Sequence, residues 1–276
     1  MLRVSTRVRG LQAPYSALTR TVVSMGIRFS IVLLIAVAPS QAFADVIADW
    51  RFQKGRNGDV AATSQLIEDS SGHDRHGRAV GGPRFRSVAL PKSNLGLVFD
   101  GIDDRVTVPD DPLFYLTKSL TIEAYVEIAD YPTSDEELGH IVFRGDDRAG
   151  FDPWFLAITQ SGQLRFLVAD ALNNASVVLS PKPLPTGKLL HVAATLDDET
   201  GEQNLYINGE RVASTKTKIR ACGSLAGFNP GIGIGNRYMH SNQAFRGTMA
   251  EVRISNESLG PSQFLPRVSS TTLEAE

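Results

Sequence analysis

Apolar and polar residues alternate with a period of two along much of this chain, most cleanly over Leu120–Ala129. There Ile122, Ala124, Val126 and Ile128 fall on one face, and Thr121, Glu123, Tyr125 and Glu127 on the other. Successive side chains of a strand point to opposite faces, so the pattern predicts a strand with one face on a core and the other in or near water. Shorter runs recur at Leu95–Phe99, Ile141–Phe143, Trp154–Thr159, Leu164–Val168, Leu189–Leu196, Leu205–Ile207, Ile232–Ile234 and Met249–Ile254. Turn residues separate them. Ser161-Gly162 joins two runs tightly, and Asn208-Gly209 supplies the two positive φ values that a type I′ hairpin needs. After Ala44 no stretch sustains a 3.6-residue period. About a dozen strands at this spacing predict an all-β chain folded as one antiparallel two-sheet β-sandwich or jelly roll.

The N-terminal segment breaks the pattern. Ile27–Ala38 is a short apolar run behind Arg28, followed by the small-residue sequence Ala42-Phe43-Ala44. This is the layout of a secretory signal peptide cleaved after Ala44, and Met25 is a second candidate start. The run falls short of the roughly 20 apolar residues that span a bilayer as a helix. Residues 1–44 are therefore expected to be an export signal, 45–265 the folded domain and 266–276 a polar tail. The destination is outside the cell, or the periplasm and cell envelope.

Composition then narrows the function. The 276 residues carry a formal net charge of −2, but the five arginines of residues 1–44 meet no acid there. Taking those five from 28 bases leaves 23 against 30 acids, a net of −7. A domain that acidic is ill suited to nucleic acid or an anionic membrane surface. The single cysteine, Cys222, excludes an internal disulfide framework and any multi-cysteine zinc site.

A family resemblance runs through the domain in order. Asp49-Trp50-Arg51-Phe52 is similar to the opening of laminin G-like domains of the concanavalin A-like lectin/glucanase superfamily, and Asp69-Ser70-Ser71-Gly72 through His76-Gly77 to their D-x-S-G loop. Leu97-Val98-Phe99-Asp100-Gly101 with Arg105 to Pro109, and Leu120 to Val126, resemble two further strands. His191-Val192-Ala193-Ala194-Thr195, Leu205-Tyr206-Ile207-Asn208-Gly209 and Phe245 to Ile254 complete the series. Leu190 and Tyr125 stand where the family usually has Trp. The resemblance implies a concanavalin A-like jelly roll, but this fold hosts lectins, adhesion modules and glycosidases alike.

The chemistry-bearing residues favour binding over catalysis. Glycoside hydrolysis needs two carboxyls about 5–10 Å apart across the scissile bond. The E-x-D-x-x-E string of the catalytic glucanases is missing here, and Glu123 and Glu127 lie about 13 Å apart along one strand. No G-x-S-x-G motif occurs either. Sugar sites pair an aromatic surface with amide and carboxylate groups, which points to Tyr125 and to the polar loop holding Tyr238, His240 and Asn242. The resemblance also implies a structural Ca²⁺, with Asp69 as first donor and Asp100 and Glu251 as helpers. The expected function is a secreted, non-catalytic module that binds extracellular or cell-surface carbohydrate. The alternatives are a protein-adhesion or envelope-assembly module without a sugar site and, third, a divergent glycosidase or polysaccharide lyase.

Overall fold

The computed structural model describes residues 45–91, 93–134, 138–145, 152–224, 227–239 and 243–267. The expected signal segment and residues 268–276 of the expected tail lie outside these. In chain order the first strands are β1 (Val46–Trp50), β2 (Leu66–Ile67), β3 (Gly77–Val80), β4 (Arg84–Ser87), β5 (Leu95–Asp100) and β6 (Arg105–Val108). A 3₁₀ turn at Pro112–Phe114 leads into β7 (Leu120–Ile128), β8 (Gly139–Arg144), β9 (Trp154–Ile158), β10 (Leu164–Ala169) and β11 (Ala175–Leu179). β12 (Leu189–Leu196), β13 (Glu202–Ile207), β14 (Glu210–Lys216), β15 (Ile232–Ile234) and β16 (Arg246–Ser255) follow. Among the described residues no helix is long and apolar enough to cross a membrane.

These strands form two antiparallel sheets of eight, the β-sandwich that the alternation predicts and of the concanavalin A-like kind that the resemblance implies. The first runs β14-β13-β12-β7-β16-β5-β4, and the second β11-β10-β9-β8-β15-β6-β3-β2. The ten residues of β16 serve two neighbours on one side: its first half pairs with β5 and its second half with β1. Chain start and chain end of the domain thus lie side by side. The inward residues of the two sheets, among them Trp50, Phe99, Ile122, Trp154, Phe166 and Val252, make one continuous core. Each such side chain, fully buried, contributes about 1.5–3 kcal/mol. Asn208 and Gly209 adopt φ of 50° and 75°, so the β13–β14 hairpin turns as its dipeptide dictates.

The outer face of the first sheet departs from the expectation. Thr121 and Glu123 are fully buried and Tyr125 is 1% exposed. The chain turns back after β16 and lays residues 256–267 across this face. Thr121 Oγ1 donates to the Glu257 carbonyl at 2.6 Å and accepts from the Leu259 amide at 2.9 Å. Phe264 packs against the rings of His191 and Tyr206, 5.6 and 5.0 Å between centroids. The Tyr125 hydroxyl donates to the Pro266 carbonyl. Residue 266, expected to begin the polar tail, is therefore part of the packed strap.

Candidate functional site

At one end of the sandwich three connections meet. The β5–β6 turn carries Asp100 to Asp104, the β7–β8 connection starts at Ala129, and the β15–β16 connection ends at Phe245. Together they enclose a cleft of about 450 Å³, whose wall includes Asp100, Ile102, Asp130, Tyr131, Phe245 and Arg246. Backbone bonds fix the frame: the Ala129 amide donates to the Arg246 carbonyl at 3.0 Å, and that of Phe245 to the Gly235 carbonyl at 2.8 Å. Phe245 is buried edge-on against Phe99, 6.4 Å between centroids, which anchors this wall to the core.

The polar groups of the cleft are pre-set. Arg246 Nη1 lies 3.2 Å from Asp130 Oδ2, and Asp130 Oδ1 accepts from the Tyr131 amide at 3.1 Å. Both partners of this ion pair are largely exposed, so it orients side chains more than it stabilises the fold. The Tyr131 hydroxyl donates to the Leu184 carbonyl. Its ring packs on Gly162, whose φ is +75° and where a Cβ would come within 2.5 Å of the ring. The Asp100 carboxylate accepts from the amides of Ile102 at 2.8 Å and Asp103 at 3.3 Å, closing the turn. Asp104 behind it is buried, and its carboxyl rises to about 6 through burial and then the charges of Asp100 and Asp103, against the Asp100 amide that bonds it.

The sugar-site residues expected from sequence fare differently. Tyr125 is no sugar platform, because the strap covers its ring and engages its hydroxyl. Tyr238 is partly exposed, on the connection that runs toward the cleft wall at Ala244 and Phe245. His240 and Asn242 lie outside the described residues. Asp130, Tyr131 and Arg246 were not singled out by sequence. An acidic–aromatic–proline turn after a strand was their one signal, and their convergence with Asp100 depends on strand order.

The expected Ca²⁺ donors do not converge. Asp69 Oδ1 accepts from the amides of Asp49 and Ser71, both at 2.9 Å. Its Oδ2 accepts from Ser71 Oγ at 2.7 Å and the Arg75 amide at 3.0 Å. Burial opposes its ionisation, but the bonds from Ser71, Asp49 and Arg75 outweigh it and hold the carboxyl below its usual range. Such a carboxylate ties the loop to β1 and has no lone pairs left for a cation. Asp100 pairs across from Arg246, five residues from Glu251 along β16, about 16 Å away. Glu251 sits instead beside Asp49 and 3.4 Å from Arg51, and its carboxyl is pushed up to about 7 by burial and then by the Asp49 charge. The set Asp69, Asp100 and Glu251 therefore does not fit a calcium site. The carboxylates of Asp100, Asp103 and Asp104, in contrast, bring one oxygen each within 4.8 Å of one another.

Two buried histidines are structural. His191 Nε2 lies 2.9 Å from Glu123 Oε2 in a buried pair. Burial, and then the charges of Arg237 and Arg165, push His140 down to about 3, so it stays neutral at physiological pH. Glu123 also takes Arg253 Nε at 2.7 Å and the Leu265 amide at 2.8 Å. With its lone pairs committed, it is no catalytic acid.

A family profile described as the concanavalin A-like lectin/glucanases superfamily matches residues 100–263, more than half of the chain. The chain belongs to the concanavalin A-like lectin/glucanases superfamily. Among curated proteins, none matches its sequence. Solved structures share the superfamily fold at low identity. The binding domain of botulinum neurotoxin serotype G superposes with a TM-score of 0.57 at 14% identity, over 79% of this chain and 49% of that one. Domain 4 of AbnA, an extracellular arabinanase from Geobacillus stearothermophilus in complex with arabinotriose, gives 0.53 at 19%, over 75% of this chain and 97% of that one. A Trypanosoma rangeli sialidase gives 0.52 at 17%, over 79% of this chain. This chain spans 31% of that sialidase's length and about half of the toxin domain's.

Proposed function

We propose that the protein is an exported, non-catalytic recognition module that holds an uncharged stretch of extracellular or cell-surface glycan in the cleft at Tyr131. The observation that carries this reading is the cleft itself. It is about 450 Å³, and it combines an aromatic ring fixed on Gly162 with the oriented Asp130–Arg246 pair. An apolar surface beside a few convergent hydrogen-bonding groups is what a hydroxyl-rich ring requires. Among the described residues two carboxylates, Asp100 and Asp130, face a single cation, Arg246, so the cleft disfavours carboxylated or sulfated sugars. The arabinotriose held by the arabinanase domain of the same fold supports a neutral oligosaccharide as ligand. Catalysis is disfavoured because Asp130 is engaged by Arg246 and Asp100 by the amides of its own turn.

The test is affinity electrophoresis of the purified protein through gels containing neutral or anionic polysaccharides, each run with Ca²⁺ and with chelator. Retardation by a neutral polysaccharide, with no release of reducing ends, is the expected result. Retardation by anionic polysaccharides alone overturns the assignment to this cleft. Free migration in every gel overturns the carbohydrate reading in favour of protein adhesion. Loss of retardation with chelator shows that binding depends on a cation, for which the Asp100, Asp103 and Asp104 carboxylates beside the cleft are the candidate donors.

A further inference from the structure

The cleft at Tyr131 holds a donor and an acceptor that are cross-strand neighbours and yet do not meet. Arg246 and Asp100 stand opposite each other where β16 pairs with β5. Side chains directly opposed in an antiparallel pair leave the same face, about 4.5–5.5 Å apart at Cβ. An ion pair between them would be the ordinary result. Each is drawn to another partner instead. Arg246 Nη1 donates to Asp130 Oδ2, on the β7–β8 connection, at 3.2 Å. Asp100 Oδ1 accepts from the amides of Ile102 and Asp103 in its own turn. The stem of Arg246 lies against Gly101, whose φ is +78° and where a Cβ would come within 2.8 Å of the Arg246 Cβ. Among the described residues, Asp100 Oδ2 and the Nε and Nη2 of Arg246 enter no hydrogen bond.

We propose that Asp100 and Arg246 read two adjacent hydroxyls of one sugar ring, and so set the ligand class of the cleft as neutral glycans whose residues keep a vicinal diol. This rests on the glycan reading of the same cleft and adds which glycans it takes. A carboxylate only accepts, a guanidinium only donates, and a hydroxyl does both. One hydroxyl of a diol can therefore donate to Asp100 Oδ2 while its neighbour accepts from the free side of the Arg246 fork. Both bonds are charge-assisted, the stronger kind. The ring of Tyr131, on the same cleft wall, is there to meet the apolar face of the sugar. Linkage then decides. A hexopyranose linked through O4 keeps O2 and O3 free and adjacent. Linked through O3, it keeps O2 and O4, with the substituted carbon between them. The cleft is expected to favour the first kind and to bind the second weakly.

The experiment is affinity electrophoresis of the purified protein against pairs of neutral polysaccharides built from the same sugar, one linked through O4 and one through O3. The wild type is expected to bind the O4-linked member about tenfold more tightly, the worth of one hydrogen bond to a charged group. Asp100→Asn keeps an oxygen for the two turn amides but replaces the free acceptor with a donor. Arg246→Lys keeps the charge and loses the fork. Both are expected to bring the ratio of the two affinities close to one. A purely structural defect would lower both affinities alike and leave the ratio unchanged. A ratio that neither variant alters therefore overturns the proposal, even where binding weakens. Equal binding of both linkages by the wild type also overturns it. If Tyr131→Ala then loses both, the cleft remains the glycan site without the diol. Binding to neither member of any pair overturns the glycan reading itself.

Discussion

Glu123 shows how a polar residue comes to occupy the middle of a covered sheet face. A buried carboxylate persists only where donors surround it. Here His191, Arg253 and the Leu265 amide do so. Removing one partner of a buried ion pair strands the others, at a cost of about 3–5 kcal/mol. Glu123→Ala is expected to lower stability by about that much in urea unfolding while leaving polysaccharide retardation intact, since the residue is remote from the cleft. Glu251 yields a pH signature. Its folded carboxyl titrates near 7 against 4.5 unfolded, so the folded state keeps a proton that the unfolded chain releases. Stability therefore falls as pH rises through that window. Glu251→Gln, permanently neutral, is expected to raise Tm at pH 8 and to lose that advantage by pH 4, measured by calorimetry. Sequence alone could not separate these roles. Glu123, Tyr125 and Glu127 alternate like any solvent-facing row, and nothing local signals that residues 256–267 return to cover them.

Strands with many inward apolar residues were legible as elements, and those at the margins were not. β7 contributes Leu120, Ile122, Ala124, Val126 and Ile128 to the core, so its period of two stands out. β4 has Phe85 as its one core residue, and β11 has Val178, too few to declare a period. The Asn208-Gly209 hairpin was readable because its turn chemistry is local. The cleft was not, because it is assembled from three connections whose proximity follows from sheet order. Gly162 illustrates the dependence: it sits in the β9–β10 turn yet shapes the cleft through the ring of Tyr131. Gly162→Ala combines a disfavoured φ with that close contact. It is expected to lower stability by about 1 kcal/mol and to weaken polysaccharide binding by displacing Tyr131. Equal affinity in the variant and the wild type would separate Tyr131 from the site.

The molecule as a whole divides its two sheets between tasks. The first is sealed on its outer face by the C-terminal strap, and its end strands β14 and β4 are charged. The second offers the uncharged edge of β11, and the cleft opens at the end of the sandwich where connections from both sheets meet. Family and fold were readable from ordered motifs, because those motifs are the packing residues of the sandwich itself. Ligand chemistry was not, because a sugar site needs a few groups brought together from distant parts of the chain. The proposed export to a surface or envelope suits an acidic domain that recognises neutral polymers. The most direct test is the affinity of wild-type protein and Tyr131→Ala for a neutral polysaccharide that retards the wild type, with matched thermal unfolding curves as a control for folding. This account predicts at least a tenfold loss of affinity in the variant. Unchanged binding by a folded Tyr131→Ala protein would contradict the assignment of the cleft as the glycan site.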